Sequence, residues 1–124
     1  MTRLVVVIAF FFGLLLTGCW QKDVGRSYYQ SGKIMTEATV RNGMLDGPAT
    51  MFYESGTKMS EANYRAGLLD GKSVSYYQNG RMKSTAIYKD GYLNGPSVEW
   101  SETGLVIAEA NFELGKVVGK IKND

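Results

Sequence analysis

Histidine is absent from this 124-residue sequence, and cysteine occurs only once. Without histidine the chain lacks the commonest general base and the commonest zinc ligand of proteins. A single cysteine also excludes an internal disulfide bond. Neither sign of charge is in large excess: the sequence has 14 Lys and Arg residues and 12 Asp and Glu residues, which gives a formal net charge of +2. The composition therefore does not indicate a nucleic-acid-binding protein, and nothing in it indicates a cofactor.

A long hydrophobic run occurs only near the N-terminus, where residues 4–16 are apolar apart from Gly13. Arg3 precedes this run, and the small residues Thr17 and Gly18 follow it. The run is shorter than the ~20 residues that a stable membrane span needs. The pattern predicts a signal helix within a secretory signal peptide over residues 1–18. An uncleaved membrane anchor is the other interpretation.

The end of this leader, Leu16-Thr17-Gly18-Cys19, resembles the lipobox of bacterial lipoproteins. The resemblance implies cleavage between Gly18 and Cys19, fatty acylation of Cys19, and a spacer over residues 19–26 before the folded part. Residue 20 is Trp rather than Asp. By the same resemblance, this favours the outer membrane of the bacterial envelope, with the protein facing the periplasm.

Twelve of the fifteen glycines fall into three registers with a spacing of 24 residues. The registers are Gly32, Gly56, Gly80 and Gly104; Gly43, Gly67, Gly91 and Gly115; and Gly47, Gly71, Gly95 and Gly119. Alanine recurs in the same way at Ala38, Ala62, Ala86 and Ala110, and an aromatic residue at Tyr28, Phe52, Tyr76 and Trp100. A fixed period of this length is typical of repeat architectures. We therefore expect one domain over residues 27–124, with units 27–50, 51–74, 75–98 and 99–122.

Each unit is predicted to hold two strands and two turns, which gives an all-β, extended antiparallel meander of four hairpins and eight strands. The first turn, residues 78–80 in the third unit, has a terminal glycine that suits a three-residue hairpin with a bulge. In that geometry Tyr76 pairs with Met82. The second turn is expected to be longer, over residues 42–47, 66–71, 90–95 and 114–119. A Leu or Val within it (Leu45, Leu69, Leu93, Val117) is expected to fold back onto the sheet.

Alternation along the strands of the third unit predicts two faces. One face is expected to carry Val74, Tyr76, Met82, Ser84, Ala86 and Tyr88. The other is expected to carry Tyr77, Arg81, Lys83, Thr85, Ile87 and Lys89.

The strongest candidate for partner binding is the row Tyr29, Tyr53 and Tyr77, with Glu37, Glu61 and Glu109 expected beside it on the same face. Exposed tyrosines with carboxylates suit a peptide, a glycan or a basic protein surface. The alternative is that these tyrosines pair across neighbouring strands and stabilise the sheet.

No catalytic residues are predicted. A hydrolase that uses the glutamate row is conceivable, but nothing else that hydrolysis needs is recognisable. Asp46 and Asp70 could touch a cation, yet Asn94 and Val118 at the same column argue against a repeated metal site. We therefore predict neither an enzyme nor a metal site.

Residues 76–95 and 52–71 resemble the bacterial variant of the MORN repeat, and the likeness extends over residues 27–119. The fourth copy departs from the pattern at Ser101 and at Glu113-Leu114-Gly115, as end repeats often do. The resemblance implies an interaction or scaffold module, here attached to the membrane through Cys19. Because the family includes YwqK-type antitoxins, an immunity-like inhibitor of a cognate toxin is the alternative. The expected partners are the membrane, an unknown protein and, through open sheet edges, a second copy of the chain.

Overall fold

The computed structural model describes residues 22–119, and within this range the chain is entirely β-structure. The predicted signal helix and the acylation site at Cys19 lie outside the described residues. Ten strands form one antiparallel sheet in the order β1-β2-β3-β4-β6-β7-β8-β9-β10, with β5 paired to β4. The strands are β1 Lys22–Tyr28, β2 Ile34–Arg41, β3 Met44–Phe52, β4 Lys58–Arg65, β5 Leu68–Leu69, β6 Gly71–Tyr76, β7 Met82–Lys89, β8 Tyr92–Trp100, β9 Val106–Glu113 and β10 Lys116–Gly119. The predicted meander is therefore confirmed. Over this range the chain contains no helix that is long and apolar enough to cross a membrane.

The first strand extends into the segment that was expected to be a spacer. Lys22 to Arg26 belong to β1 and pair with β2, from Lys22 opposite Arg41 to Arg26 opposite Glu37. An ion pair of 2.6 Å between Arg26 Nε and Glu37 Oε2 accompanies this pairing. The spacer prediction is thus wrong for residues 22–26, because β2 offers an edge that this segment completes.

The first turn of each unit is the three-residue hairpin that glycine spacing predicts. In the third unit, Tyr77 N–H donates to the Arg81 carbonyl at 2.8 Å, and Gly80 N–H donates to the Tyr77 carbonyl at 2.9 Å. Gly80 has φ of 83°, in the left-handed region that favours glycine. Tyr76 pairs with Met82, as expected.

The second turn is much shorter than predicted. It closes within two residues (Asn42-Gly43, Ala66-Gly67, Asp90-Gly91, Leu114-Gly115), and all eight have positive φ. Two positive φ values are the signature of a type I′ turn, whose twist matches that of the flanking strands. The residues predicted to form a long turn therefore lie mostly in strands, and Leu93 pairs with Tyr88 rather than folding back from a loop. The short strands β5 and β10 arise in this way, so the sheet has ten strands instead of eight.

Successive type I′ turns are bonded to one another. Gly67, Gly91 and Gly115 each donate a backbone N–H, over 2.8 Å, to the carbonyl of a leucine in the preceding unit: Leu45, Leu69 and Leu93 respectively. Because each unit binds its neighbour at this end, the turns form a hydrogen-bonded ladder along the sheet. This is the nearest-neighbour coupling that stabilises repeat proteins.

The predicted faces are wrong beyond each first turn, because the bulge shifts the register by one residue. Tyr76 pairs with Met82, but the next pair is Ser75 with Ser84, whose hydroxyl oxygens lie 2.6 Å apart. Ser84, Ala86 and Tyr88 therefore lie on the opposite side from Tyr76. A shift of one residue moves every later side chain to the other face.

The corrected sheet has two different faces. We call the side that carries Tyr28, Phe52, Tyr76 and Trp100 the aromatic face, and the opposite side the trough face. Among residues 22–119 only Ala38 and Thr39 are buried, at 8% and 6% exposure. The described chain is thus a single layer without a central core, and both faces are open to contact.

Candidate functional site

The three tyrosines singled out by the sequence use their hydroxyl groups to join consecutive units. Tyr29, Tyr53 and Tyr77 donate to the carbonyls of Phe52, Tyr76 and Trp100, over 2.7, 2.8 and 2.7 Å. We call these three residues the tyrosine ladder. Each of these hydrogen bonds joins the first turn of one unit to the end of a strand in the next unit. The hydroxyls are therefore engaged within the chain, and the rings are the part of the ladder left for a partner.

The carboxylates lie on the aromatic face, away from the ladder. Glu61 Oε2 accepts a 2.6 Å hydrogen bond from the Tyr76 hydroxyl, and Glu61 Oε1 lies 2.6 Å from Lys58 Nζ. Glu37 is paired with Arg26, and Glu109 lies opposite Val98, which alternates with Trp100. The expectation that glutamates and ladder tyrosines share a face is wrong, for the register reason given above. The structure brings the glutamates together with the aromatic column instead.

Glu109 differs from its equivalents in the first two units. Its Oε2 atom is closed off from solvent and has no hydrogen-bond partner among the described residues. The fourth unit has Val106 where the second has Lys58, and Val98 where the first has Arg26. Among the described residues, neither of the cations that serve Glu37 and Glu61 therefore has an equivalent beside Glu109.

The bonds around Glu61 predict how stability depends on pH. Hydrogen bonds from Lys58 and then Tyr76 lower the pKa of Glu61, while the bond to Glu61 raises the pKa of Tyr76. Glu61 then stabilises the fold above its unfolded pKa, and this stability is lost as pH falls through the lowered value. The Tyr76 contribution is present below its unfolded pKa and is lost as pH rises through the raised value.

We therefore expect Glu61→Gln to lower the thermal midpoint at neutral pH and to converge with the unmodified chain below the lowered pKa of Glu61. Thermal melts between pH 3 and pH 8 measure this, a window set by the ordinary glutamate pKa of about 4.3. The exposed Glu54 is the matched control, since Glu54→Gln should leave the profile unchanged. Parallel profiles for Glu61→Gln and the unmodified chain would show that the bonds around Glu61 contribute nothing.

The trough face carries a row in which every side chain is small. Gly25, Ala38, Ala49 and Ala62 pair in sequence across β1 to β4, and Ser73, Ala86, Ser97 and Ala110 continue across β6 to β9. We call these eight residues the trough row. The alanine repeat in the sequence indicated this row but not the face on which it lies.

Larger side chains border the trough row on both sides. The tyrosine ladder lies toward the first turns. Toward the type I′ turns lies an apolar row that includes Val40 opposite Leu45, Tyr64 opposite Leu69, Tyr88 opposite Leu93 and Phe112 opposite Val117. A pocket of about 590 Å³ lies at the C-terminal end of the trough. Its lining is Ser97, Glu99, Ala108, Ala110, Phe112 and Val117, together with Ile107 and Glu109 of β9. This geometry suits a narrow extended ligand.

The aspartates considered as cation ligands are bonded inside the chain. Asp46 lies 3.1 Å from Arg41 Nε, and Asp70 lies 3.2 Å from an Arg65 guanidinium nitrogen. Asp70 Oδ2 also accepts from Asp90 N–H at 3.5 Å, which adds to the turn ladder. Over residues 22–119 no group of three or more potential metal-ligating side chains occurs.

Comparison with known proteins supports the repeat assignment. A family model described as the MORN repeat variant matches residues 24–42, 45–66 and 69–90, which together make just over half of the chain. Comparisons with curated proteins and with solved structures found no match. The matched segments begin in β1, β3 and β5, and each ends at the first residue of a type I′ turn. They contain the tyrosine ladder, Glu37, Glu61 and the first turns of the first three units.

Proposed function

Since the chain belongs to the MORN repeat variant family, we propose that it is a bacterial lipoprotein whose sheet is a protein-interaction scaffold in the cell envelope. Repeats of this family are generally modules that interact with proteins or membranes. The acyl chains on Cys19 would hold the sheet at the outer membrane, on its periplasmic side. Each buried methylene of such chains contributes about 0.8 kcal/mol to membrane attachment.

The observation that carries the proposal is the trough row. Eight consecutive positions across the sheet are Gly, Ala or Ser, so an approaching main chain meets no large side chain there. The ring faces of the tyrosine ladder and the apolar row of Tyr64, Tyr88 and Phe112 would contact the ligand from both sides. The ligand that fits is an extended segment of a protein partner. Glu37 and Glu61 lie on the other face, where they would meet only a partner that also covers the aromatic face.

The position of β1 supports anchoring as part of this function. β1 begins at Lys22, three residues after Cys19. Three extended residues span about 10 Å, so an acylated Cys19 would keep the N-terminal edge of the sheet next to the membrane surface. Because the strands follow one another in chain order, each later strand places its part of the trough farther from the anchor.

Anchoring is tested by metabolic labelling with a fatty acid and by membrane fractionation. The unmodified chain should incorporate the label and sediment with membranes, whereas Cys19→Ala should do neither. If Cys19→Ala fractionates with membranes as firmly as the unmodified chain, and the label never enters the latter, the lipoprotein assignment is wrong.

Binding in the trough is tested by filling it. Ala86→Leu places a large side chain in the trough row, and Thr85→Leu places the same side chain on the aromatic face of the same strand. We expect a partner that crosslinks to the native protein in membranes to be lost from Ala86→Leu and retained by Thr85→Leu. Melting curves should show that both variants are folded. Equal loss or equal retention would contradict the trough as the binding face. Recovery of a toxin as the dominant partner would favour the inhibitor function.

A further inference from the structure

The tyrosine ladder repeats at a fixed distance across the sheet. Tyr29, Tyr53 and Tyr77 follow β1, β3 and β6, and one strand lies between each of these strands and the next. Since neighbouring strands lie about 4.8 Å apart, successive ladder rings lie about 9.6 Å apart. The tyrosines are half-buried, and each hydroxyl is bonded to a carbonyl in the next unit. The rings are therefore held in equivalent orientations before any ligand binds.

This spacing discriminates among ligand conformations. A polyproline II helix has three residues per turn and rises about 3.1 Å per residue, so equivalent side chains recur about every 9.3 Å. Over the two intervals of the ladder, the mismatch with the rings is about 0.6 Å. Every seventh residue of an α-helix recurs after about 10.5 Å, which gives a mismatch of about 1.8 Å. Equivalent side chains of a β-strand recur about every 6.7 Å and fall between successive rings. The polyproline II helix is thus the conformation that places one turn on each repeat unit.

A row of mostly hydroxyl-bearing residues lies between the ladder and the trough row. We call it the hydroxyl row, and its members, paired in sequence across the sheet, are Ser27, Thr36, Met51, Ser60, Ser75, Ser84, Glu99 and Ala108. The hydroxyl oxygens of Ser75 and Ser84 lie 2.6 Å apart, so one of their two protons remains for a ligand. A polyproline II helix forms no internal hydrogen bonds, and its carbonyls accept from such donors.

The walls of the trough fit two of the three edges of this helix. The rings of the tyrosine ladder suit proline rings, since aromatic-lined grooves are the usual sites for polyproline II segments. The apolar row on the other side, which includes Tyr64 and Tyr88, suits a second apolar side chain. The third edge then faces solvent. A ligand for the trough therefore has a sequence period of three residues.

The charges beside the ladder favour an acidic ligand. Three exposed cations lie next to it: Lys33, Arg81 and Lys83. Lys83 Nζ is 5.7 Å from the centre of the Tyr77 ring. Glu54 and Glu102 lie in the first turns, farther from the floor of the trough, and Glu99 lies in the fourth unit, beyond the ladder. Carboxylates of a ligand that covers the ladder would therefore meet cations of opposite charge.

We propose that the trough binds a proline-rich, acidic segment in the polyproline II conformation, with three ligand residues on each repeat unit. The three ladder rings then contact a segment of about nine residues. This inference rests on the proposed function of the trough as a protein-binding face, and it adds the conformation and composition of the bound segment. Because a polyproline II helix is largely formed before binding, little conformational entropy is lost.

Fluorescence anisotropy with labelled peptides and the full chain tests the conformation. The probe is a peptide of four proline-proline-glutamate triplets. In one control, glycine and serine replace the prolines at the same length and charge. In a second control, one alanine is inserted between the second and third triplets, so the two halves cannot both match the ladder. We expect each control to bind about tenfold more weakly than the probe. Lysine in place of glutamate should also weaken binding.

Variants of the chain test whether the probe lies on the ladder. Tyr53→Ala removes the central ring, whereas Tyr53→Phe keeps the ring and loses the same hydroxyl bond. We expect Tyr53→Ala to weaken probe binding about tenfold and Tyr53→Phe to change it less than about twofold. Tyr28→Ala removes an exposed tyrosine from the aromatic face and should leave binding unchanged. If melting curves show that Tyr53→Ala is unfolded, Ala62→Leu, which fills the trough row in the same unit, replaces it.

Equal affinity for the probe and the glycine-serine control overturns the proposal. So does unchanged binding of the peptide with the inserted alanine, or unchanged binding of the probe to folded Tyr53→Ala. In each of these cases, loss of the native partner from Ala86→Leu would still support the trough as the binding face. If the probe depends on the Tyr53 ring while the native partner is retained by Ala86→Leu, the proposed function fails and the selectivity of the trough stands.

Discussion

Replacing Gly95 by alanine is expected to lower the free energy of unfolding by about 3 kcal/mol. Gly95 lies in β8 beside Ile87 of β7, with φ of 128°, where side-chain-bearing residues are strained. An added Cβ would lie 3.2 Å from Ile87 Cβ and 3.5 Å from its Cγ1. Because Ile87 Cβ is fixed to the backbone of β7, the contact can be relieved only if the two strands move apart. Chemical denaturation of the full chain measures the loss.

Gly80→Ala in the same unit separates the two causes. Gly80 also has positive φ, at 83°, but the nearest atom to its added Cβ is Thr57 Cγ2 at 4.0 Å. We expect this control to show backbone strain alone, at about 1–2 kcal/mol. Gly47→Ala should repeat the larger loss, because its added Cβ would lie 3.2 Å from Thr39 Cβ. Equal losses for Gly95→Ala and Gly80→Ala would mean that the contact with Ile87 has no steric cost.

The glycine spacing was enough to predict the repeat number and the first turn, because only glycine accepts the left-handed position there without cost. The second turn could not be predicted from its residues. Asn42-Gly43 is a recognisable type I′ pair, but Ala66 and Leu114 occupy the same left-handed position with φ of 47°. Residues with a Cβ avoid that conformation. The bonds from each turn glycine to the preceding leucine carbonyl favour the turn, and these contacts join different units.

The candidate site was predicted in composition but not in arrangement. The alanine column, the tyrosine row and the glutamates are all visible as periodic residues. Their faces depend on a one-residue bulge after each first turn, because the bulge reverses the face of every later side chain in the strand. The hydrogen bonds from the ladder hydroxyls to carbonyls 23 residues away could not be predicted from the sequence. A periodic tyrosine does not indicate whether its hydroxyl forms a hydrogen bond within the chain.

These corrections change which face is the better candidate for binding. With the glutamates beside the tyrosines, the ladder would be an acidic aromatic surface. With the trough row beside it instead, the ladder is one wall of a channel whose floor is Gly, Ala and Ser, and the ladder hydroxyls already bind the sheet. The ladder thus has a structural role in the described chain, and its rings remain available to a partner. The two roles predict different effects for the loss of the hydroxyl alone.

Changing Tyr29, Tyr53 and Tyr77 together to phenylalanine is expected to lower the free energy of unfolding by about 3 kcal/mol. Each change removes one hydrogen bond to a half-buried carbonyl, at about 1 kcal/mol, and sites this far apart should contribute additively. Denaturant unfolding of the full chain provides the measurement. Tyr28→Phe with Tyr92→Phe is the control, because both side chains are more than half exposed, and it should change stability by less than about 0.5 kcal/mol. If the triple variant is as stable as this control, the hydroxyl bonds do not hold the units together. If it is destabilised but keeps its partner in the crosslinking experiment, the rings rather than the hydroxyls serve binding.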